Sequence, residues 1–325
     1  IDMYAGRLRN QVSFMLSACN FYMPIFEEAL DAYNLPLELK YLPIIESALN
    51  PSAVSRAGAS GLWQFMLATG KMYGLESNSL VDERRDPIKA TWAAARYLKE
   101  LYAIYGDWNL VIAAYNCGPG TINKAIRRAN GKTDYWDIYN LLPKETRGYV
   151  PAFIAANYVM TYYCDHNICP METNIPASTD TVQVNKNLHF EQIADICGVS
   201  IDQIKSLNPQ YKKNIIPGDS KSYTLRLPQS HISIFIDQQD TIYAHRADEL
   251  FRNRKTIAIN DNTPPSSTRA KASVGKGTPT YHKIKSGETL GTIAAKYGVR
   301  IKDIQSWNGL RNTKITAGKQ LKIYK

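Results

Sequence analysis

Glu46 closes the apolar run Leu42-Pro43-Ile44-Ile45-Glu46, and a polar, small-residue loop and then Gly61-Leu62-Trp63-Gln64-Phe65-Met66 follow it. Leu42, Ile44, Ile45 and Leu49 would withdraw water from its carboxyl, which disfavours the charged form and raises the pKa. A carboxyl still protonated near neutrality can act as a general acid and protonate a leaving-group oxygen. The plainer reading of the same residues is a helix-end glutamate in water. Cys117 raises a different chemistry, a thiol nucleophile of the Cys–His peptidase kind. All five histidines (His166, His189, His231, His245, His282) lie beyond residue 165, so no imidazole is at hand in sequence to activate it.

With 325 residues, 44% of them hydrophobic, the chain can build one sizeable core and one or two small modules. A net charge of +10 and a pI near 9.2 point to an anionic partner. Nucleic acid is disfavoured, because the Lys and Arg residues are dispersed and neither a basic helix nor a zinc-finger spacing occurs. No basic amphipathic helix stands out for a membrane surface, and no apolar run of eighteen residues for a spanning helix. The chain opens at Ile1 without a charged-then-apolar leader, so an export signal is expected outside these residues. Five cysteines (Cys19, Cys117, Cys164, Cys169, Cys197) are too few for a disulfide-built scaffold. Cys164 and Cys169 are spaced to close a small loop or to stay as thiols, and CDHNIC cannot assemble four metal ligands. No metal and no cofactor is implied.

Helical signals run to about residue 170. Asn34-Leu35-Pro36 reads as a cap and first turn opening LELKYLPIIESAL, with Pro43 kinking that helix just before Glu46. Asp86-Pro87 opens a second helix, with Ala93, Ala94 and Ala95 for close packing, Trp92, Ala95, Leu98, Leu101 and Tyr102 on one face, and Gly106 as its stop. WNLVIAAYNCG (108–118) is apolar nearly all round and reads as a buried core helix, and ETRGYVPAFIAANYVMTYY closes the region. Beyond about 180, residues 181–227 and 281–324 repeat one β-α-α-β pattern, with Gly198 or Gly298 ending the first helix and Asn208 or Asn308 turning into the last strand. Between them SHISIFIDQQDTIYA (230–244) reads as one or two strands, a hairpin around Asp237–Asp240, before a flexible Pro/Ser/Lys/Gly linker.

Three motifs in order, ESALNPSAVSRAGASGLWQFM, AAYNCGPG and LPKETRGYV, resemble those of the family 1 lytic transglycosylases, lysozyme-like enzymes that cleave peptidoglycan. Within that family the membrane-bound D type, with C-terminal LysM modules, is similar in layout, and both β-α-α-β repeats resemble LysM, the second strongly through KIKSGETLGTIAAKYGV. The implied fold is an all-α lysozyme-like catalytic domain (1–175) followed by small α+β modules. These are a degenerate LysM-like module 1 (180–228), an additional strand/helix segment (229–260), a linker (261–280) and LysM module 2 (281–325).

The resemblance makes Glu46 the catalytic acid/base. It gives Ser55, Gln64, Met66, Tyr115, Asn116, Glu145 and Tyr149 as substrate-binding residues, with Tyr115 pointing at the acid and Glu145 and Tyr149 at the far wall of the cleft. Gln64 carries donors and an acceptor suited to sugar hydroxyls and acetamido groups. Trp63 and Phe65 read as core. Ser286, Gly287, Glu288, Thr289 and Asn308 would contact glycan in module 2, whereas module 1 has Asn185-Lys186-Asn187 where module 2 has Ser-Gly-Glu.

A hydrolysing glycosidase usually pairs two carboxylates. No Asp or Glu lies between Glu46 and Glu76, which leaves only Glu145 as a second group. The family resembled does not use its match as a nucleophile, so the resemblance implies a single-acid, non-hydrolytic cleavage to 1,6-anhydro-MurNAc. The alternatives are a hydrolytic muramidase and a non-catalytic peptidoglycan-binding protein. The expected partner is peptidoglycan and the expected place the bacterial envelope, on the periplasmic side, with any lipid anchor outside this chain. Ten basic against two acidic side chains over 281–325 suit an anionic wall polymer.

Overall fold

The computed structural model describes residues 1–173, 175–176, 178–251, 280–285, 288–297, 299, 301–310, 315–316 and 318–324. It divides into two units, 1–262 and 263–325. After a π-helical turn at Met3–Arg7, the first unit runs into a 24-residue helix, α1 (Arg9–Ala32), which buries Val12, Met15, Phe26, Ala29 and Leu30. Asn34 follows it in the left-handed region (φ 53°), which lets the Leu35 N–H reach Leu30 O. Asn34 therefore ends one helix instead of opening the next, correcting the sequence reading.

The kink expected at Pro43 is also corrected. Leu37–Tyr41 form a 3-10 turn, and a separate short helix, α2 (Leu42–Ser47), starts with Pro43 in its first turn, where the missing N–H has no intrahelical partner to lose. Left-handed backbone at Ala48 and Leu49 (φ 51° and 58°) stops α2 at once, so Glu46 sits in the last turn of a six-residue helix.

After α2 the chain folds back on itself through isolated bridges Val54↔Ser60 and Ser60↔Phe65. Trp63 and Phe65 turn inward and are buried, as expected; Trp63 Nε1 donates to Thr91 Oγ1 at 2.9 Å and packs edge-on against Phe26. A short helix, α3 (Leu67–Met72), leads on. Asp86 then accepts from the N–H groups of Ile88 and Lys89 to start α4 (Pro87–Tyr105), and Gly106 (φ 63°) ends it. Ala95, Leu98 and Leu101 are buried, while Trp92 and Tyr102 lie at the exposed margins of that face. Asp107 caps α5 (Trp108–Cys117), whose Leu110–Ala114 segment is buried between α4, α6 (Pro119–Arg128) and the long α8 (Lys144–Thr161). A single turn, α7 (Tyr135–Ile138), precedes α8.

Both β-α-α-β repeats are present. In module 1, β1 (Thr179–Val184) pairs antiparallel with β4 (Tyr223–Pro228), register Thr179↔Pro228 to Val184↔Tyr223, and α9 (Phe190–Cys197) and α10 (Ile201–Leu207) lie between. An inner ladder joins β2 (Asn187–His189) to β3 (Ile215–Pro217). Gly198 takes φ 72° at the end of α9. The Asn208 amide donates to Ile204 O and Arg226 O and accepts from Arg226 N–H, tying α10 to β4.

The strands expected over 230–244 are instead helices, α11 (Ile232–Asp237) and α12 (Gln239–Ala244), with α13 (Ala247–Leu250) after them. The ISIFID alternation is misleading: Phe235 and Ile242 are buried, while Ile234 and Ile236 face outward. In the second unit β5 (Thr280–Lys283) pairs with β6 (Gln320–Ile323) around α14 (Leu290–Tyr297) and α15 (Ile301–Trp307), and Asn308 repeats the role of Asn208. The linker expected at 261–280 falls almost wholly outside the described residues.

Two glycines of the loop between α2 and α3 separate conformation from space. Gly58 (φ 87°) has nothing within 4 Å of a built Cβ, whereas at Gly61 (φ 89°) that atom would stand 1.7 Å from Arg84 O. Gly58→Ala should cost about 1–2 kcal/mol from backbone strain alone. Gly61→Ala should cost about 3 kcal/mol or more, because backbone must move. Urea denaturation of the two variants measures this; equal losses would contradict the close approach.

Candidate active site

The last turn of α2, the loop that follows it, and the N-terminal segment through the start of α1 enclose a cleft of about 480 Å³. Tyr4, Leu8 and Met15 supply one wall, Ser55 and Gln64 another, and Ile44, Ile45 and Glu46 the floor. Glu46 is the only carboxylate among the described residues lining it. Burial pushes its pKa from 4.5 up to about 7; a hydrogen bond from Tyr149 pulls the other way, and the Glu145 charge adds to the rise. Glu46 therefore keeps a proton well above the usual carboxylate range, as a general acid requires.

Tyr149, on α8, donates its hydroxyl to Glu46 Oε1. Its phenol is held far above its ordinary value by burial and by the Glu46 charge, so it stays a donor. Here the sequence reading is corrected: Tyr149 is not at a distant wall but on the acid. Tyr115, expected to point at the acid, donates to Trp63 O at 2.7 Å. It is still close enough for the Glu46 charge to raise its phenol, after the larger effect of burial. Asn116 accepts from Thr146 Oγ1 at 2.8 Å and so ties α5 to α8, the helices that carry the two tyrosines.

Gln64 adopts left-handed backbone (φ 47°), unusual for a side chain of its size and the kind of strain that collects at functional sites. Its NH2 donates to Gly61 O (2.8 Å) and Ala53 O (3.3 Å), and the residue lines the cleft. Ser55 is exposed at the rim, and its Oγ accepts from Ala59 N–H at 3.0 Å. Met66 is exposed, and Glu145 is exposed in the first turn of α8, acting on Glu46 through its charge. Burial pushes the Cys117 thiol up, the opposite of what a nucleophile needs.

In module 2, Ser286 and Gly287 lie outside the described residues. Glu288 accepts from Lys285 N–H and contacts His282 Nε2, both at 2.8 Å, and the Asn308 amide is committed to Ile304 and Lys322. Both side chains thus make hydrogen bonds within the module itself. Thr289 caps α14 by exchanging hydrogen bonds with Thr292. Among the described residues no group of three His, Cys, Asp or Glu side chains could hold a metal ion, and no helix is long and apolar enough to cross a membrane.

The sequence reading missed the acid contact of Tyr149, the wall from the N-terminal segment, and a buried pair, Asp82 and Arg84, behind the loop. The run Asp82-Glu83-Arg84-Arg85-Asp86 was visible as charge, but nothing in it marks which members are buried.

Three family models match the chain: the transglycosylase SLT domain over residues 23–138, the lytic transglycosylase MltD LysM-like domain over 178–244, and the LysM domain over 282–323. The chain is 34% identical over 294 residues, 89% of its length, to the membrane-bound lytic murein transglycosylase D of Escherichia coli K12. The matched residues are thus similar to the SLT domain and the LysM modules of lytic transglycosylases. The chain spans 60% of the length of that relative. Another relative, the soluble lytic murein transglycosylase of Escherichia coli K12, is 33% identical over 124 residues, covering 36% of this chain and 19% of its own. The crystal structure of the 70 kDa soluble lytic transglycosylase from Escherichia coli matches with a TM-score of 0.39 and 29% identity, covering 44% of this chain and 24% of that one. The SLT model spans Glu46, Ser55, Gln64 and Tyr115, while Tyr149 lies beyond its end.

The folded Glu46 binds its proton more tightly than the unfolded chain does, because its pKa lies above 4.5. That stabilisation is complete below about pH 4.5 and is lost as pH rises through about 7. Glu46→Gln should therefore be more stable than wild type at pH 8 by on the order of 2–3 kcal/mol, with the gap closing below about pH 5. Denaturant melts at the two pH values check this. Tyr149→Phe removes the interaction that favours the carboxylate, so the midpoint of the Glu46 titration, read by NMR, should move up by on the order of one unit.

Proposed function

We propose that this chain is a peptidoglycan lytic transglycosylase that cleaves the MurNAc-β-1,4-GlcNAc bond without consuming water. The observation that carries this reading is the single cleft carboxyl, Glu46, with a pKa near 7 and a fixed contact to Tyr149. Protonated Glu46 gives its proton to the glycosidic oxygen as the C1–O bond breaks and the bond electrons leave with the GlcNAc alcohol. The substrate's own N-acetyl oxygen takes up the positive charge at C1, the part a second carboxylate plays in hydrolysing enzymes. Glu46, now ionised and steadied by the Tyr149 hydroxyl, accepts the proton of the MurNAc C6 hydroxyl as that oxygen attacks C1 and displaces the acetamido oxygen. The ring closes as 1,6-anhydro-MurNAc and Glu46 regains its proton. Gln64, Ser55 and Met66 line the path of the sugar chain, with Asn116 holding the two tyrosine-bearing helices in register.

The LysM modules at 178–244 and 282–323 support glycan strands as the partner, and module 2 with its net charge of +8 suits an anionic wall. Tethered binding of this kind raises the local concentration of glycan at the cleft even when each contact is weak. A reaction on peptidoglycan supports a place in the bacterial cell envelope, on the periplasmic side.

Digestion of purified sacculi followed by mass spectrometry tests the reading. Products should be one water lighter than the corresponding muramidase products, and Glu46→Gln should lower turnover by at least about a hundredfold. Reducing-end MurNAc in place of anhydro ends would reject the non-hydrolytic route. Unchanged clearing by Glu46→Gln would reject the acid.

A further inference from the structure

Within the loop between α2 and α3, the stretch Gly58, Ala59, Ser60 and Gly61 has little side chain of its own to anchor it. Its backbone is held from behind. Arg84 Nη1 donates to Gly58 O at 2.9 Å and to Phe65 O at 3.0 Å, clasping the segment that carries Gln64. The same guanidinium is gripped by Asp82: Nε to Oδ1 at 2.9 Å and Nη2 to Oδ2 at 2.8 Å. Both side chains are buried, Asp82 at 2% and Arg84 at 8% exposure. Arg85 Nε adds a bond to Ser60 Oγ at 3.1 Å.

What fixes Asp82 comes from module 1. Asp82 N–H donates to Gln210 O and Lys212 N–H to Leu80 O, each at 2.8 Å, flanking the antiparallel bridge Val81↔Tyr211. Lys212 Nζ donates to Asn78 O at 2.7 Å and stands 3.8 Å from Asp82 Oδ2. Leu80 and Val81 are buried in the core of module 1, beside Tyr211 and Tyr223, and not in the helical core. The Tyr223 hydroxyl and Lys221 both hold Glu76.

Elsewhere in module 1, loops are bonded to their own chain. The loops matching those read as glycan-contacting in module 2 are zipped together by the β2–β3 ladder and by Phe190 N–H on Asn214 O. Gly218 is pressed so closely onto Lys186 that a Cβ would lie 2.2 Å from its carbonyl.

We propose that module 1 serves this protein as a brace for the cleft loop, with Lys212 and Asp82 as positioning residues that act through Arg84 on Gly58 and Phe65. This inference rests on the reading of the Glu46 cleft as the active site. A Gly/Ala/Ser loop has high conformational freedom, and a buried ion pair with defined partners removes it at two fixed carbonyls. A purely glycan-binding module would need no such seam with the helical region.

The test uses the full chain with Lys212→Gln, Lys212→Arg and Asp82→Asn. It measures amide hydrogen exchange over residues 55–66 and steady-state kinetics on soluble glycan strands well below the melting temperature. Lys212→Gln should speed exchange in that loop about tenfold relative to α5 and raise KM several-fold, leaving the pH midpoint in place; Lys212→Arg should restore both. Asp82→Asn should produce the same two changes, which keeps the test decisive if Lys212→Gln does not fold. A lower melting temperature with unchanged loop exchange and unchanged KM in folded variants would overturn the brace. A wild type inert on glycan, in variants of which the loop still loosens, would reject the catalytic reading and leave the brace standing.

Discussion

A carboxyl group taken out of water without a cation beside it keeps its proton, because ionising there costs several kcal/mol. Glu46 is held in that condition by burial, tempered by one phenol and sharpened by one distant acid. The surrounding helical region follows from this requirement. A helix of only six residues, stopped by two left-handed residues, brings the carboxyl to the cleft floor without extending past it. Two helices, α5 and α8, joined through Asn116 and Thr146, deliver Tyr115 and Tyr149 to its vicinity. Tyr149 donates without becoming a counter-ion, so the acid is oriented but not permanently ionised.

The same domain handles another acid, Asp82, in the opposite way. Asp82 is ionisable, almost wholly buried, and saturated by Arg84, with Lys212 nearby. Such a pair adds little net stability but fixes geometry, since breaking it strands a charge. One buried carboxyl is thus left without a salt bridge and is suited to proton transfer, while the other is paired and gives rigidity. The two meet at one loop, because Arg84 holds the backbone on which Gln64 faces the cleft.

Module 1 illustrates how a repeat diverges in use while keeping its frame. Asn208 and Asn308 make the same three backbone bonds, and both copies keep the strand–helix–helix–strand order. In the first, Leu80 and Val81 of the helical region enter the core. The frame is specified by local turn chemistry, which recurs in sequence. The seam is specified by which surface residues happen to face a neighbour, which does not.

The sequence by itself determined the helical region, the two repeats, the acid and its apolar flank, and the assignment of Trp63 and Phe65 to the core. Those features rest on local signals: periodicity, caps, left-handed glycines and motif order. Tertiary structure alone decided that Pro43 begins a helix instead of bending one, and that ISIFID coils because Phe235 is drawn inward. It alone placed Tyr149, 103 residues from Glu46, on the acid, with Tyr115 turned to the Trp63 carbonyl. It also chose Asp82 and Arg84 from a run of five charges. Contacts between residues far apart in sequence depend on how helices cross and which side chains lose water there, and no local pattern encodes that.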